Sequence, residues 1–179
     1  MLQLTLIRHA KSSWDNPALS DFDRPLNKRG MKNAPLMGKI INKRGLAFEQ
    51  IVTSPALRAI TTAHLIAGKT RFPVEGIEQR QELYGASVHA LLNCVQSLDN
   101  QYKRIALVAH NPGLTDFCNH LSGESIANLP TCAVALIEFD LDDWRALSRD
   151  AGSGIGSQRI EDAGQRPGVE GVKKHRGRE

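Results

Sequence analysis

Two arginines and two histidines in this chain stand where hydrophobic runs break off. "LTLIRHAKSSW" sets Arg8 and His9 directly after Leu4, Leu6 and Ile7. "QIVTSPALRA" sets Arg58 one turn into a helix that follows a strand, and "RIALVAHNPG" sets His110 after Leu107, Val108 and Ala109. A charged side chain is costly to bury, so its place at the end of an apolar run asks for a reason. Guanidiniums stay charged at any physiological pH and match oxyanions bidentately. An imidazole binds an anion when protonated and attacks an electrophile when neutral. The four residues together describe a site for a small anion, phosphate or carboxylate. Singly they read more plainly, since an arginine at a helix start is usually a surface charge and a strand-end histidine is more often structural.

The elements that must position them alternate. Strands are predicted at Leu2–Ile7, Gln50–Thr53, Pro73–Ile77, Arg104–Ala109 and Thr131–Phe139. A helix is predicted at Leu36–Lys43, with Pro35 in its first turn and Gly45 as its stop. "SPALRAITTAHLIAG" predicts a second, capped by Ser54, with Pro55 at its first position and Gly68 at its end. "SVHALLNCVQSL", with Ser87 as cap, and "NPGLTDFCNHLSG", ending at Gly123, predict two more. Such alternation implies an α/β fold: a three-layer sandwich with a central, mostly parallel sheet and helices on both faces. If the strands before His9, Arg58 and His110 run parallel, their carboxyl ends share one sheet edge, where ligands of α/β folds bind. The N-terminal end of the helix near Ser54 adds a favourable field for an anion.

Composition limits the alternatives. At 179 residues the chain suits one domain, with 41% hydrophobic residues and a formal charge of +4. Residues 1–150 are read as the domain. Residues 151–179 are Gly-rich and charged, with six Lys/Arg against four Asp/Glu, and are expected to be disordered. Asp140–Asp143 reads as a turn and Trp144–Leu147 as an edge strand. No basic block interleaved with aromatics supports a nucleic-acid partner. Cys94, Cys118 and Cys132 fit neither a disulfide framework nor a zinc motif. With no signal-peptide pattern and no run approaching about 20 apolar residues, no membrane contact is expected and the protein reads as cytoplasmic. The oligomeric state is left open.

Taken together, "LIRHA", "TSPALRAITTA" and "VAHNPGL" resemble the motifs of the histidine phosphatase superfamily, and most closely its short SixA-type phosphohistidine phosphatase branch. "DFDRPLNKRG" at 21–30, "ELYGAS" at 82–87 and "LPTCAVALIEFD" at 129–140 extend the likeness from residue 2 to about 147. The resemblance implies that His9 is the nucleophile and carries the phosphoryl group as a phosphohistidine. It implies that Arg8, Arg58 and His110 hold the phosphoryl oxygens and that no cofactor or metal takes part. It makes Glu82 the candidate proton donor to the leaving group. Departures are Ala10 and Ala109, where Gly is common, and Asp15, near a phosphate-binding Asn of mutase relatives. The expected substrate is phosphohistidine on a protein, because the roughly forty residues from Gly68 to His110 leave no insertion for a lid. A small-molecule phosphomonoesterase and a non-catalytic phosphate-binding module are the alternatives.

Overall fold

A computed structural model of the chain describes residues 1–152 and 154–158. Its strands are β1 (Leu2–Arg8), β2 (Gln50–Thr53), β3 (Ile77–Gln79), β4 (Arg104–Ala109), β5 (Val134–Phe139) and β6 (Gly154–Gln158). Its helices are α1 (Lys28–Lys43), α2 (Leu57–Thr70), α3 (Val88–Gln96) and α4 (Gly113–Ser122). The strands form one sheet in the order β3-β2-β4-β1-β5-β6. From β3 to β1 the neighbours run parallel, and β5 and β6 are added antiparallel.

The strand residues alternate between two cores. Ile105 and Leu107 join Leu4, Leu6, Leu91, Val95, Phe117 and Leu121 on the face covered by α3 and α4. Ala106 and Val108 join Ile7, Ile51, Ala34, Met37, Ala63 and Ile66 on the face covered by α1 and α2. A strand buried on both faces reads as a continuous apolar run, which is the pattern of β1 and β4. The expected three-layer α/β fold is therefore the one observed.

Local expectations differ in several places. The strand expected at Pro73–Ile77 is a 3-10 turn at Val74–Gly76, and β3 starts only at Ile77. The first helix begins at Lys28, not Leu36, and Pro35 lies inside it. Asn27 caps it by accepting from the Gly30 amide at 2.9 Å. Proline removes one helical hydrogen bond, but burial of Gly30, Asn33, Ala34 and Met37 on one face carries the helix through it. In the second helix Ser54 is not the cap, and the helix passes Gly68 to end at Thr70. Trp144–Ala146 is a 3-10 turn rather than an edge strand, with Trp144 buried and its Nε1 donating to Tyr102 O at 2.7 Å. The edge is filled by β6, in the segment expected to be disordered. The outer edge of β5 offers unpaired amides and carbonyls, and a main-chain ladder there needs no apolar side chains. Ser153 and residues 159–179 lie outside the described residues.

The β1–α1 connection is held close to the sheet edge by a glycine. A Cβ on Gly30 would lie 2.2 Å from the Lys11 carbonyl oxygen, so α1 abuts the loop leaving His9. We expect Gly30→Ala to cost about 1–3 kcal/mol of stability through overpacking. Thermal unfolding checks this, and an unchanged midpoint would show that the loop yields freely.

Candidate active site

The parallel register aligns the ends of the three central strands. Arg8 lies opposite Ala109 and Thr53 opposite Val108. His9, His110 and the start of α2 therefore emerge at one level. The His9 backbone is pinned there, its amide donating to Ala109 O and its carbonyl accepting from Cys132 N, both at 3.1 Å. His9 Nδ1 lies 2.7 Å from Ala10 O. A carbonyl only accepts, so the network assigns the ring proton to Nδ1 and the lone pair to Nε2. Arg58 Nε donates to that Nε2 at 3.4 Å.

The His110 ring is centred 5.0 Å from that of His9. Its Nε2 lies 2.7 Å from Ser54 Oγ, which accepts from the Ala56 amide at 3.3 Å. With the Ser54 hydroxyl donating to Nε2, the imidazole proton sits on Nδ1. Arg8 Nη1 donates to Leu129 O at 2.7 Å, so the residue-129 loop backs the guanidinium. Among the described residues, the buried side-chain nitrogens without a hydrogen-bond partner are Arg8 Nε and His110 Nδ1. Unpaired buried donors are costly. Here both belong to one crevice beside a histidine lone pair, an arrangement suited to an oxyanion. A cavity of about 520 Å³ opens beside His110, between the Ala86–His89 turn and the Asn111–Gly113 turn.

Residues 4–91 match the histidine phosphatase superfamily (branch 1). An uncharacterized protein of Picosynechococcus sp. is 30% identical over 125 residues, covering 68% of this chain and 73% of that protein. The crystal structure of a protein assigned as phosphohistidine phosphatase SixA, from Agrobacterium tumefaciens, superposes with a TM-score of 0.71 at 25% identity, covering 77% of this chain and 92% of that one. The protein histidine phosphatase SixA complexed with tungstate gives 0.70 at 26% identity, covering 78% and 89%. The chain belongs to the histidine phosphatase superfamily.

In this superfamily member the positive charge is trimmed by a carboxylate. Asp21 Oδ2 accepts from Arg58 Nη2 at 2.9 Å and from Tyr84 OH at 2.7 Å. Asp21 Oδ1 accepts from Arg24 Nε at 3.0 Å, and the Asp21 carbonyl accepts from Arg58 Nη1. Burial opposes ionisation of Asp21, but Tyr84, Arg58 and Arg24 outweigh it and hold the carboxyl down to about 2. Burial, more than the arginines, pushes His9 down to about 3, with His110, Arg58 and Arg8 adding to the effect. Burial first, then Arg58, pushes His110 down to about 4. Both imidazoles are neutral at neutral pH, the form in which an imidazole is able to attack an electrophile or donate a neutral hydrogen bond.

Of the residues predicted from sequence, Arg8, His9, Arg58 and His110 come together. Glu82 is exposed and pairs with Arg80 at 3.7 Å. Asp15 is exposed on the loop after β1. Sequence reasoning misses Asp21, Arg24 and Tyr84, which fall inside "DFDRPLNKRG" and "ELYGAS", and it reads Ser54 as a helix cap rather than a partner of His110. Their polar types carry no signal until the fold sets them against Arg58. Among the described residues no three His, Cys, Asp or Glu side chains gather to hold a metal. No helix of the described residues is long and apolar enough to cross a membrane.

The depressed histidines predict a pH dependence of defined sign. An unfolded imidazole takes up its proton near pH ~6.5, whereas folded His9 and His110 resist it until about 3 and about 4. The unfolded state then binds more protons below pH ~6.5, so this stability is full above that pH and declines as pH falls towards 4 and 3. We expect both ring resonances in NMR titrations to stay neutral from pH 8 to 5.5. A midpoint near 6.5 for either would contradict the assignment.

Proposed function

We propose that the chain is a phosphatase that transfers a phosphoryl group to His9 and that its substrate is phosphohistidine on a protein. The observation that carries this reading is the fixed tautomer of His9, with Nδ1 bound to Ala10 O and the Nε2 lone pair turned to Arg58. In the first step that lone pair forms a bond to phosphorus while the bond from phosphorus to the leaving nitrogen breaks, its electron pair going to the leaving imidazole. Arg58 Nε, Arg8 Nε and His110 Nδ1 donate to the phosphoryl oxygens as charge shifts. Phosphoryl transfer depends mainly on such positioning and electrostatic stabilisation. In the second step water attacks phosphorus, the N–P bond returns its pair to His9, and the protons of water leave with phosphate. The guanidiniums supply the positive charge that the transfer needs. The cavity beside His110 is where the leaving group is received.

The substrate class is supported by the leaving-group chemistry. An alkoxide leaves badly without a proton donor, whereas an imidazole protonated on its other nitrogen leaves as a neutral base. The carboxylate bonded within the cluster, Asp21, is held ionised and is a poor acid at neutral pH. Glu82 faces Arg80 instead. A small-molecule phosphomonoesterase is the second reading, and it requires Glu82 to swing into the crevice as the acid.

Two experiments test this reading. His9→Ala should abolish turnover and remove the acid-labile, base-stable label left by a phosphate donor, while vanadate still binds through the arginines. Turnover near wild type in that variant would reject the mechanism. Glu82→Gln should change kcat/KM by less than about tenfold on a phosphohistidine protein and on p-nitrophenyl phosphate. If an alkyl phosphate is the better wild-type substrate and the variant loses about 10²–10⁴-fold on it, Glu82 is the acid and the small-molecule reading takes over.

A further inference from the structure

Asp21 is engaged from three separate parts of the chain. Arg24 comes from its own loop, Arg58 from the first turn of α2, and Tyr84 from the segment after β3. The loop is tied to α2 a second time, because the Leu57 amide donates to Phe22 O at 3.1 Å. Arg24 is itself immobilised, donating to Ser12 Oγ at 2.9 Å and lying 3.5 Å from the Trp14 ring centre. Asp21 thus sits on a fixed platform even though its side chain is 48% exposed.

What Asp21 holds is the orientation of Arg58. Its carboxylate and carbonyl take up the two terminal nitrogens of the guanidinium. The Nε side is left facing His9 Nε2. A guanidinium pinned at one end cannot rotate about its last torsions, so its free side stays aimed at the reacting centre. Asp21 also changes the charge of the cluster. Arg8, Arg24 and Arg58 against Asp21 leave two net positive charges, which match a phosphoryl dianion.

We propose that Asp21 is a positioning residue for phosphoryl transfer, which fixes the plane of Arg58 against His9 and trims the crevice to the charge of its substrate. The proposal rests on the phosphatase reading above. A residue with only a scaffold role would weaken anion binding, rate and stability together. A positioning carboxylate instead separates them. Its loss slows transfer, while anion affinity holds or rises because a repelling charge has gone.

The test is rapid-quench formation of the His9 adduct from p-nitrophenyl phosphate, alongside vanadate titration and thermal unfolding. Asp21→Asn presents amide hydrogens to donors and removes the charge. We expect its labelling rate to fall about 10- to 100-fold, as small misplacements of catalytic groups do, with vanadate bound as tightly as by wild type or more so. Asp21→Glu keeps the charge but shifts the carboxylate by one methylene. It should also label slowly, with vanadate affinity unchanged. Labelling of Asp21→Asn at the wild-type rate would overturn the proposal. So would a parallel loss of rate, vanadate affinity and melting temperature in both variants. A wild-type protein that forms no adduct at all would overturn the phosphatase reading and the proposal with it.

Discussion

Three guanidiniums converge on two imidazoles at one edge of the sheet, and their mutual repulsion is the constraint that the surrounding structure answers. Like charges drawn from water into a crevice repel strongly, because the screening they had in solvent is lost. The chain relieves this in two ways. It keeps His9 and His110 neutral by burying them. It also threads the loop between β1 and α1 past Arg58, so that Asp21 meets Arg24 and Arg58 together. The uncompensated remainder is the attraction available to an anion.

The same arrangement settles which nitrogen of His9 keeps a free lone pair. The carbonyl of the next residue takes Nδ1 and leaves Nε2 towards the arginine. That carbonyl is held because the Ala10 amide donates to Thr62 Oγ1 at 3.0 Å, and Thr62 donates in turn to Arg58 O at 2.6 Å. A short relay on α2 therefore orients the backbone that follows His9. Ala10 is fully buried in this relay. Nothing in its contacts requires the glycine common elsewhere in the superfamily.

The cysteines and the second core show what lies outside the chemistry. Cys94, Cys118 and Cys132 are free and buried, and burial pushes their thiols up to about 11, about 11 and about 12. They are protonated, inert core residues. Cys132 matters through its backbone. At φ 64 it turns the chain so that its amide reaches the carbonyls of Arg8 and His9.

The sequence by itself determined β1, β2 and β4, because residues buried on both faces must be apolar in a row. It also determined that Arg8, His9, Arg58 and His110 meet, because parallel strands of one sheet bring their carboxyl ends to one edge. Helix ends were less legible. Pro35 and Gly68 are stop signals locally, and only tertiary burial of α1 and α2 shows that the helices run through them. Tertiary structure alone decided β6, since ladder pairing with β5 leaves no side-chain pattern to read. It alone decided that Asp21 and Tyr84 serve the crevice while Glu82 turns to Arg80. A polar loop residue carries no periodicity, and its partner is fixed only when folding sets distant segments side by side.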